Sequence, residues 1–231
     1  MATTSVCDSF KVELGQGGHC CNATLTGVAV TNTSGSAALT GIASTAGWAV
    51  GMALTGTNVP AGTVVAAIGG PTSATMSQPS SGGAVTSVTV TGDAFKLLLI
   101  KVSPSLTYNQ TQTNVGTPGT GTPSTANVGT DEVSGTGYTS GGMALGNVTP
   151  ILSSTTACWD FSPSPSLTGA SISTTAGIIY NTSTRLGAAA SPLNGRTCSV
   201  HDFGGTQTVT SGTITFTMPA QTAGNAIIQL A

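Results

Sequence analysis

The sequence predicts an all-β fold: a β-sandwich or jelly-roll-like host domain carrying a small inserted β domain. Charged residues make up only 5% of the 231 positions, against about 25% in ordinary soluble domains. Thr, Val, Ser and Ile recur throughout, and 32 Gly and 11 Pro break the chain at short intervals. That texture suits short strands joined by tight turns. No segment sustains the 3.6-residue periodicity of an amphipathic helix.

Two other classes can produce so few charges, and both fit poorly. A membrane helix needs roughly 20 apolar residues, yet the most apolar run, residues 95–102, is interrupted by Lys96 and Lys101. Disordered chains are short of β-branched residues, which this chain keeps from end to end. The net charge of −2 with no basic cluster gives nucleic acid nothing to bind. The N-terminus has neither a charged n-region nor an apolar h-region, so no secretory leader is expected and synthesis in the cytoplasm follows. The Asn-X-Ser/Thr sequons at Asn22, Asn32, Asn109, Asn147 and Asn181 are then incidental to a Thr/Ser-rich chain.

In chain order, residues 9–14 alternate cleanly, with Phe10, Val12 and Leu14 on one side and Ser9, Lys11 and Glu13 on the other. This pattern predicts a half-buried strand that ends at the glycines of residues 15–18. Residues 14–92 contain no Asp, Glu, Lys or Arg. Within them, residues 38–42, 49–54, 63–68 and 84–91 read as short strands between Gly and Pro turn signals. They delimit an inserted module at residues 22–91, leaving residues 1–21 and 92–231 as a discontinuous host domain. Residues 94–102 form a strand whose Leu/Ile run predicts burial on both faces. Residues 103–130, rich in Thr, Gly, Asn and Pro, predict a long loop that is exposed or ordered by neighbours. Further strands are expected at residues 143–145, 156–161, 167–172, 177–180, 197–203, 213–218 and 226–230. In residues 156–161, Trp159 and Phe161 share a face. Their bulk places them on the core and turns Cys158 outward beside Asp160.

The segment Asp131-Glu-Val-Ser-Gly-Thr-Gly-Tyr-Thr-Ser-Gly-Gly142 resembles a signature of small virion structural proteins of tailed bacteriophages and prophages. The surrounding pieces agree in order: Phe10-Lys-Val-Glu-Leu14, Thr91-Gly-Asp-Ala-Phe-Lys-Leu97, Trp159-Asp-Phe161, Gly177-Ile-Ile-Tyr-Asn181, His201-Asp-Phe-Gly-Gly205, Ile214-Thr-Phe-Thr-Met-Pro219 and Asn225-Ala-Ile-Ile-Gln-Leu230. The resemblance covers residues 8–21 and 91–231. In between, Gly35-Ser-Ala-Ala-Leu-Thr-Gly41, Ser44-Thr-Ala-Gly-Trp-Ala-Val-Gly-Met52 and Val59-Pro-Ala-Gly-Thr-Val-Val65 resemble a short β repeat of phage tail and surface proteins. The resemblance implies a capsid decoration or cement protein on the virion surface. Its partners would be the major capsid protein and copies of itself, as a homotrimer or another symmetric oligomer. A tail, fibre or spike-associated protein binding the host surface is the alternative, with Trp48 as the aromatic available to a glycan in the insert.

The residues themselves offer little chemistry. His19-Cys20-Cys21 lacks the second ligand pair of a zinc site, and no Ca²⁺ loop, nucleophile elbow or phosphate loop is present. Asp131 and Glu132 are adjacent, so on a strand they diverge instead of converging as an acid/base pair. No catalytic residue, metal or cofactor is expected. Gly135-Thr-Gly-Tyr-Thr-Ser140 reads as a glycine-dependent turn anchored by Tyr138. Arg185 and Arg196 read either as solvated charges or as partners for a neighbouring subunit's acid. Cys7, Cys20, Cys21, Cys158 and Cys198 are candidate disulfide cysteines: an odd count cannot pair within one chain. Two readings stay open, buried inert thiols and inter-subunit cross-links formed outside the reducing cytoplasm.

Overall fold

The computed structural model describes residues 4–101, 108–183 and 193–230. The fold is all-β, and every strand pairing between its elements is antiparallel. The chain divides into two compact units, Met1–His19 with Ala94–Ala231, and Cys20–Asp93.

The first unit begins with β1 (Thr4–Val6) and α1 (Asp8–Gly15). The helix corrects the strand expected over residues 9–14. Phe10 and Leu14 stand four apart, so one helical face holds both as well as a strand would; Phe10 is buried and Val12 is left in solvent. Cys7 occupies the N-cap, Asp8 lies in the first turn, and Lys11 Nζ pairs with Asp8 at 2.8 Å. The glycines that read as a strand break are the helix C-cap. Gly17 sits at φ 69°, its N–H donates to Leu14 O, and Gly18 N–H donates to Glu13 O. This is a Schellman closure, which wants glycine at the left-handed position.

The remainder of this unit is strand. The elements are β8 (Phe95–Ile100), β9 (Met143–Leu145), β10 (Ile151–Ser153), β11 (Thr156–Trp159), β12 (Ser166–Asn181), β13 (Thr197–Thr215) and β14 (Ile228–Leu230). A five-stranded sheet runs β1-β13-β12-β8-β9, and a three-stranded sheet runs β10-β11-β14. The pairs of short strands expected at residues 167–180 and 197–218 belong to the two long partners β12 and β13. Irregularities in register interrupt their pairing, one of them at Gly204-Gly205. Central β8 is buried at Leu97, Leu98, Leu99 and Ile100.

Residues 108–130 are part of the long loop expected, and neighbours help to order it: Val115 N–H donates to Gly195 O and Asp8 N–H to Gln110 O. They carry no strand, yet they are fastened by their own polar side chains. Buried Gln112 donates from Nε2 to Asn114 O and Ser124 O, and Asn127 Oδ1 accepts from Thr117 N–H at 2.8 Å. Val115 and Val128 fill the space beneath them. Polar side chains here share with backbone–backbone bonds, such as Val128 N–H to Val115 O, the work a β ladder does elsewhere, giving partners to backbone groups away from water. The first residues of the expected loop lie outside those described.

The second unit comprises β2 (Leu25–Ala29), β3 (Ala38–Leu39), β4 (Ala53–Thr55), β5 (Val65–Gly70), β6 (Ser73–Met76) and β7 (Ser87–Thr91). They form two three-stranded sheets, β2-β7-β4 and β3-β6-β5. Both sheets contribute to one apolar core, with Leu39, Val65, Ala74 and Met76 from one and Leu54, Val88 and Val90 from the other. Trp48 is buried in that core. The ends of this unit are tied together: Asp93 N–H donates to Cys20 O at 2.8 Å, and Cys20 N–H donates to Asp93 Oδ2 at 2.9 Å.

Candidate functional site

The acidic pair Asp131–Glu132 sits where a short 3-10 turn (Gly129–Asp131) delivers the chain to the side of β8. Both carboxylates are buried, and both are spent on their own chain. Glu132 Oε1 accepts from the Tyr138 hydroxyl at 3.0 Å and from Gly141 N–H at 2.6 Å, while Oε2 accepts from the Ser140 hydroxyl at 2.5 Å. The Tyr138 oxygen in turn accepts from Leu99 N–H at 3.1 Å, and Tyr180 donates to Gly141 O at 2.6 Å. Burial, with the Glu132 charge alongside, pushes Tyr180 up to about 12 and drives Tyr138 in the same direction. Asp131 Oδ2 accepts from Tyr108, whose phenol is raised by burial and by that carboxylate. Residues 132–142 are therefore a loop wrapped around a carboxylate, with Tyr138 as one of its anchors. Gly142 closes it against β8: at φ +84°, a Cβ there would stand 2.3 Å from Leu97 O.

A second polar group joins α1 to β12 and β13. Ser183 N–H donates to Asn181 Oδ1, which turns the Asn181 amide nitrogen toward His19 Nδ1 at 3.0 Å. Nδ1 must then accept, so Nε2 carries the proton and donates to Glu13 Oε2 at 2.8 Å. Glu13 Oε1 also meets Arg196 at 3.2 Å. The His19 ring lies 4.6 Å from the Phe10 ring, fully buried. With one nitrogen accepting and the other donating to a carboxylate, His19 works as a rivet between segments. Arg196 serves an acid of its own chain, and Arg185 lies outside the described residues.

A cleft of about 710 Å³ opens in the first unit. Leu97 and Ile179 form part of its lining, with the Phe203 and Phe216 rings 5.3 Å apart. Phe203 lies over Gly177, where a Cβ would stand 3.1 Å from the ring edge. His201, Asp202, Gln207, Asn225 and Gln229 supply polar groups. Burial pulls His201 down to about 4, so the ring is neutral at ordinary pH, with Nε2 2.8 Å from the Ser199 hydroxyl. An aromatic pair with amides around it, and no fixed positive charge in the lining, suits a neutral polar ligand with an apolar face.

No protein-family model, curated protein or solved structure matches the chain.

All five candidate cysteines are buried, and no disulfide links any of them. Cys158 corrects the expected orientation of β11. It is fully buried and shares its face with buried Thr156, while Ala157 and Trp159 on the opposite face are half-buried. Cys7 packs at the N-cap of α1 beside Cys198 of β13, its N–H donating to Cys198 O at 2.8 Å. Burial pushes the Cys7 thiol up to about 11, away from the reactive thiolate. Cys20 lies at the tied end of the second unit, and its thiol donates to Val50 O at 3.4 Å. His19, Cys20 and Cys21 do not form a ligand cluster, and among the described residues no three His, Cys, Asp or Glu side chains converge on a metal-sized site. The His19–Asn181 rivet and the cleft have no counterpart in the sequence reading. The rivet's partners stand 162 residues apart, and no local pattern signals a contact at that range.

Proposed function

We propose that this chain is a non-enzymatic structural subunit of a bacteriophage particle, a capsid decoration or cement protein that stabilises the assembled head. The observation that carries the structural part of this reading is how the buried acids are used. Glu132, Asp131 and Asp93 hold the protein's own hydroxyls and backbone N–H groups, and Glu13 holds His19 and Arg196. The remaining buried acid, Asp160, accepts from Phe161 N–H through Oδ1 while its Oδ2 has no hydrogen-bond partner, and burial raises its carboxyl. A catalytic carboxylate would be aimed at a substrate instead. The phage assignment rests on the ordered sequence resemblance across residues 8–21 and 91–231.

In this role, a subunit that binds only the assembled shell stabilises the shell by mass action. Heads assembled without it should form and then melt at a lower temperature than complete heads; equal melting temperatures would refute the cement role. A copy number in the hundreds per particle supports decoration, whereas a handful supports a tail component.

The cleft favours one second reading, a tail or fibre protein that holds a host glycan. Buried Trp48 does not serve as a platform in the insert. The Phe203–Phe216 pair with Gln207, Asn225 and Gln229 offers the apolar face and amides that a sugar ring uses. Binding of host surface polysaccharide by the purified protein, lost in Phe203→Ala, would support that reading over decoration.

A further inference from the structure

Two of the five buried thiols stand opposite each other across a strand pair. The β1–β13 register runs Thr4↔His201, Ser5↔Val200 and Val6↔Ser199, so its next step sets Cys7 against Cys198. The hydrogen bond from Cys7 N–H to Cys198 O, 2.8 Å long, shows that the step is taken. Both side chains are fully buried, so neither turns out to solvent. Cys198 is also where the register between β12 and β13 shifts, from Ile179↔Ser199 to Tyr180↔Thr197. A bulge of this kind re-aims the side chains at it, and the Cys7 thiol interacts with the side chain of Thr197. The Cys7 sulfur therefore lies over the Thr197–Cys198 step.

Residues directly opposite in an antiparallel pair have Cα atoms about 4.5–5.5 Å apart, inside the roughly 4.4–6.8 Å that a disulfide spans. The other cysteines are not placed this way. Cys20 and Cys21 are consecutive, with Cα atoms about 3.8 Å apart, and the Cys20 thiol donates to Val50 O in the second unit. Cys158 lies in the other sheet, opposite Ile151 and Gln229, with its thiol on Thr156 O. Burial and the raised Cys7 thiol keep the closed pair unreactive. Access comes through β1, three residues long at the edge of its sheet, with β13 as its neighbour there. A short edge strand opens at little cost, and opening here uncovers Cys7.

We infer that Cys7 and Cys198 are a site of oxidative modification, joined within one chain by a stabilising disulfide when the protein meets a low-molecular-weight disulfide such as oxidised glutathione. The Cys7 thiolate attacks one sulfur of the oxidant, expels one thiolate and is left as a mixed disulfide. The Cys198 thiolate then attacks the Cys7 sulfur and expels the second. One protein S–S bond forms and one oxidant S–S bond breaks. Two electrons pass to the oxidant, and the two cysteine protons end on the released thiols. The bond fastens β1 and α1 to β13 and closes the long loop between them, which stabilises the oxidised chain. Outside a reducing cytoplasm such a bond persists. The inference rests on the strand pairing and is independent of the phage reading.

Peptide mapping of the oxidised protein tests it. One sample of the reduced chain is incubated with oxidised glutathione. A second is refolded from urea in a glutathione redox buffer, where burial is no obstacle. After alkylation in urea and digestion without reductant, the refolded sample, and more slowly the native one, should yield one linked peptide pair, Cys7 with Cys198. The other three of the five cysteines should be alkylated. The oxidised protein should melt about 5–10 °C above the reduced one, and dithiothreitol should remove the gain. Measured against its own reduced form, Cys198→Ser should show neither link nor gain, while Cys158→Ser should keep both. The wild-type map decides the matter even where a variant fails to fold. Five alkylated cysteines in both samples overturn the inference. So does Cys7 or Cys198 found as a stable glutathione adduct, linked to another cysteine, or joining two chains. A linked protein that melts no higher than the reduced one also overturns it.

Discussion

Replacing Glu132 by alanine removes one side chain and strands three donors: the Tyr138 hydroxyl, the Ser140 hydroxyl and Gly141 N–H. Each hydrogen bond to a carboxylate is worth about 1.5–3 kcal/mol, and a buried donor left without an acceptor costs about 1–3 kcal/mol. The three share one acceptor and do not add simply, and a cavity remains under the loop. About 3–5 kcal/mol of destabilisation is expected. Glutamine should behave differently. Its Oε1 can still take Tyr138 and Gly141, and its Nε2 can donate to the Ser140 hydroxyl, which accepts as readily as it donates. What is lost is the charge, so about 1–2 kcal/mol is expected. Urea unfolding followed by circular dichroism resolves the two, provided the denaturant slope is unchanged. Alanine within about 1 kcal/mol of wild type would refute the claim that this carboxylate holds the loop. Glutamine as damaging as alanine would refute the hydrogen-bond account of how it does so.

Gly142→Ala should cost about 3 kcal/mol or more or prevent folding, because the added carbon meets Leu97 O at 2.3 Å in a backbone conformation suited to glycine; a variant with wild-type melting temperature would contradict the close approach. His201 titrates near 4 in the folded chain against an ordinary 6.5. Its contribution is therefore fully present above pH 6.5 and is lost as pH falls through about 4. That difference is worth at most about 3 kcal/mol, and about 1–2 kcal/mol once solvent screening at the half-buried ring is allowed for. His201→Gln should flatten this part of the stability–pH curve, and parallel curves would refute the linkage. All five thiols are buried, so iodoacetamide should label the native protein far more slowly than the urea-unfolded chain, with mass spectrometry reading the adducts. Rapid native labelling of Cys158 would restore the outward orientation that the structure corrects.

The sequence carried most of its weight where one face was plainly apolar. The strand at residues 143–145 and the buried run of β8 follow directly from pattern. Residues 9–14 misled because six residues are too few to separate a two-residue period from a 3.6-residue one when Phe10 and Leu14 satisfy both. The decisive signal lay outside the pattern, in the Gly17-Gly18 pair that caps the helix. In β11 the alternation correctly sorted Cys158 from Trp159, but alternation says nothing about which side is inward. Side-chain bulk favoured tryptophan; the sheet instead buries cysteine with Thr156. The buried role of Glu132 escaped because reading Asp131-Glu132 as strand neighbours overlooked the turn that precedes them. Asn127 and Gln112 look like ordinary loop residues until their backbone partners are known. In each case the missing information was three-dimensional, the identity of the group on the other side.

The reciprocal hydrogen bonds between Cys20 and Asp93 have a consequence for how such a chain can change. A segment that leaves and returns at one point presents its carrier with the same boundary condition as a hairpin turn. The entropic cost of closing it grows only with the logarithm of its length. The stretch from Cys20 to Asp93 is thus a cassette. It should be exchangeable for a two-residue turn, or for any unrelated fold whose termini abut, without redesign of the recipient strands. A chain built this way can lengthen, shorten or swap one part of itself by a single recombination event and keep folding.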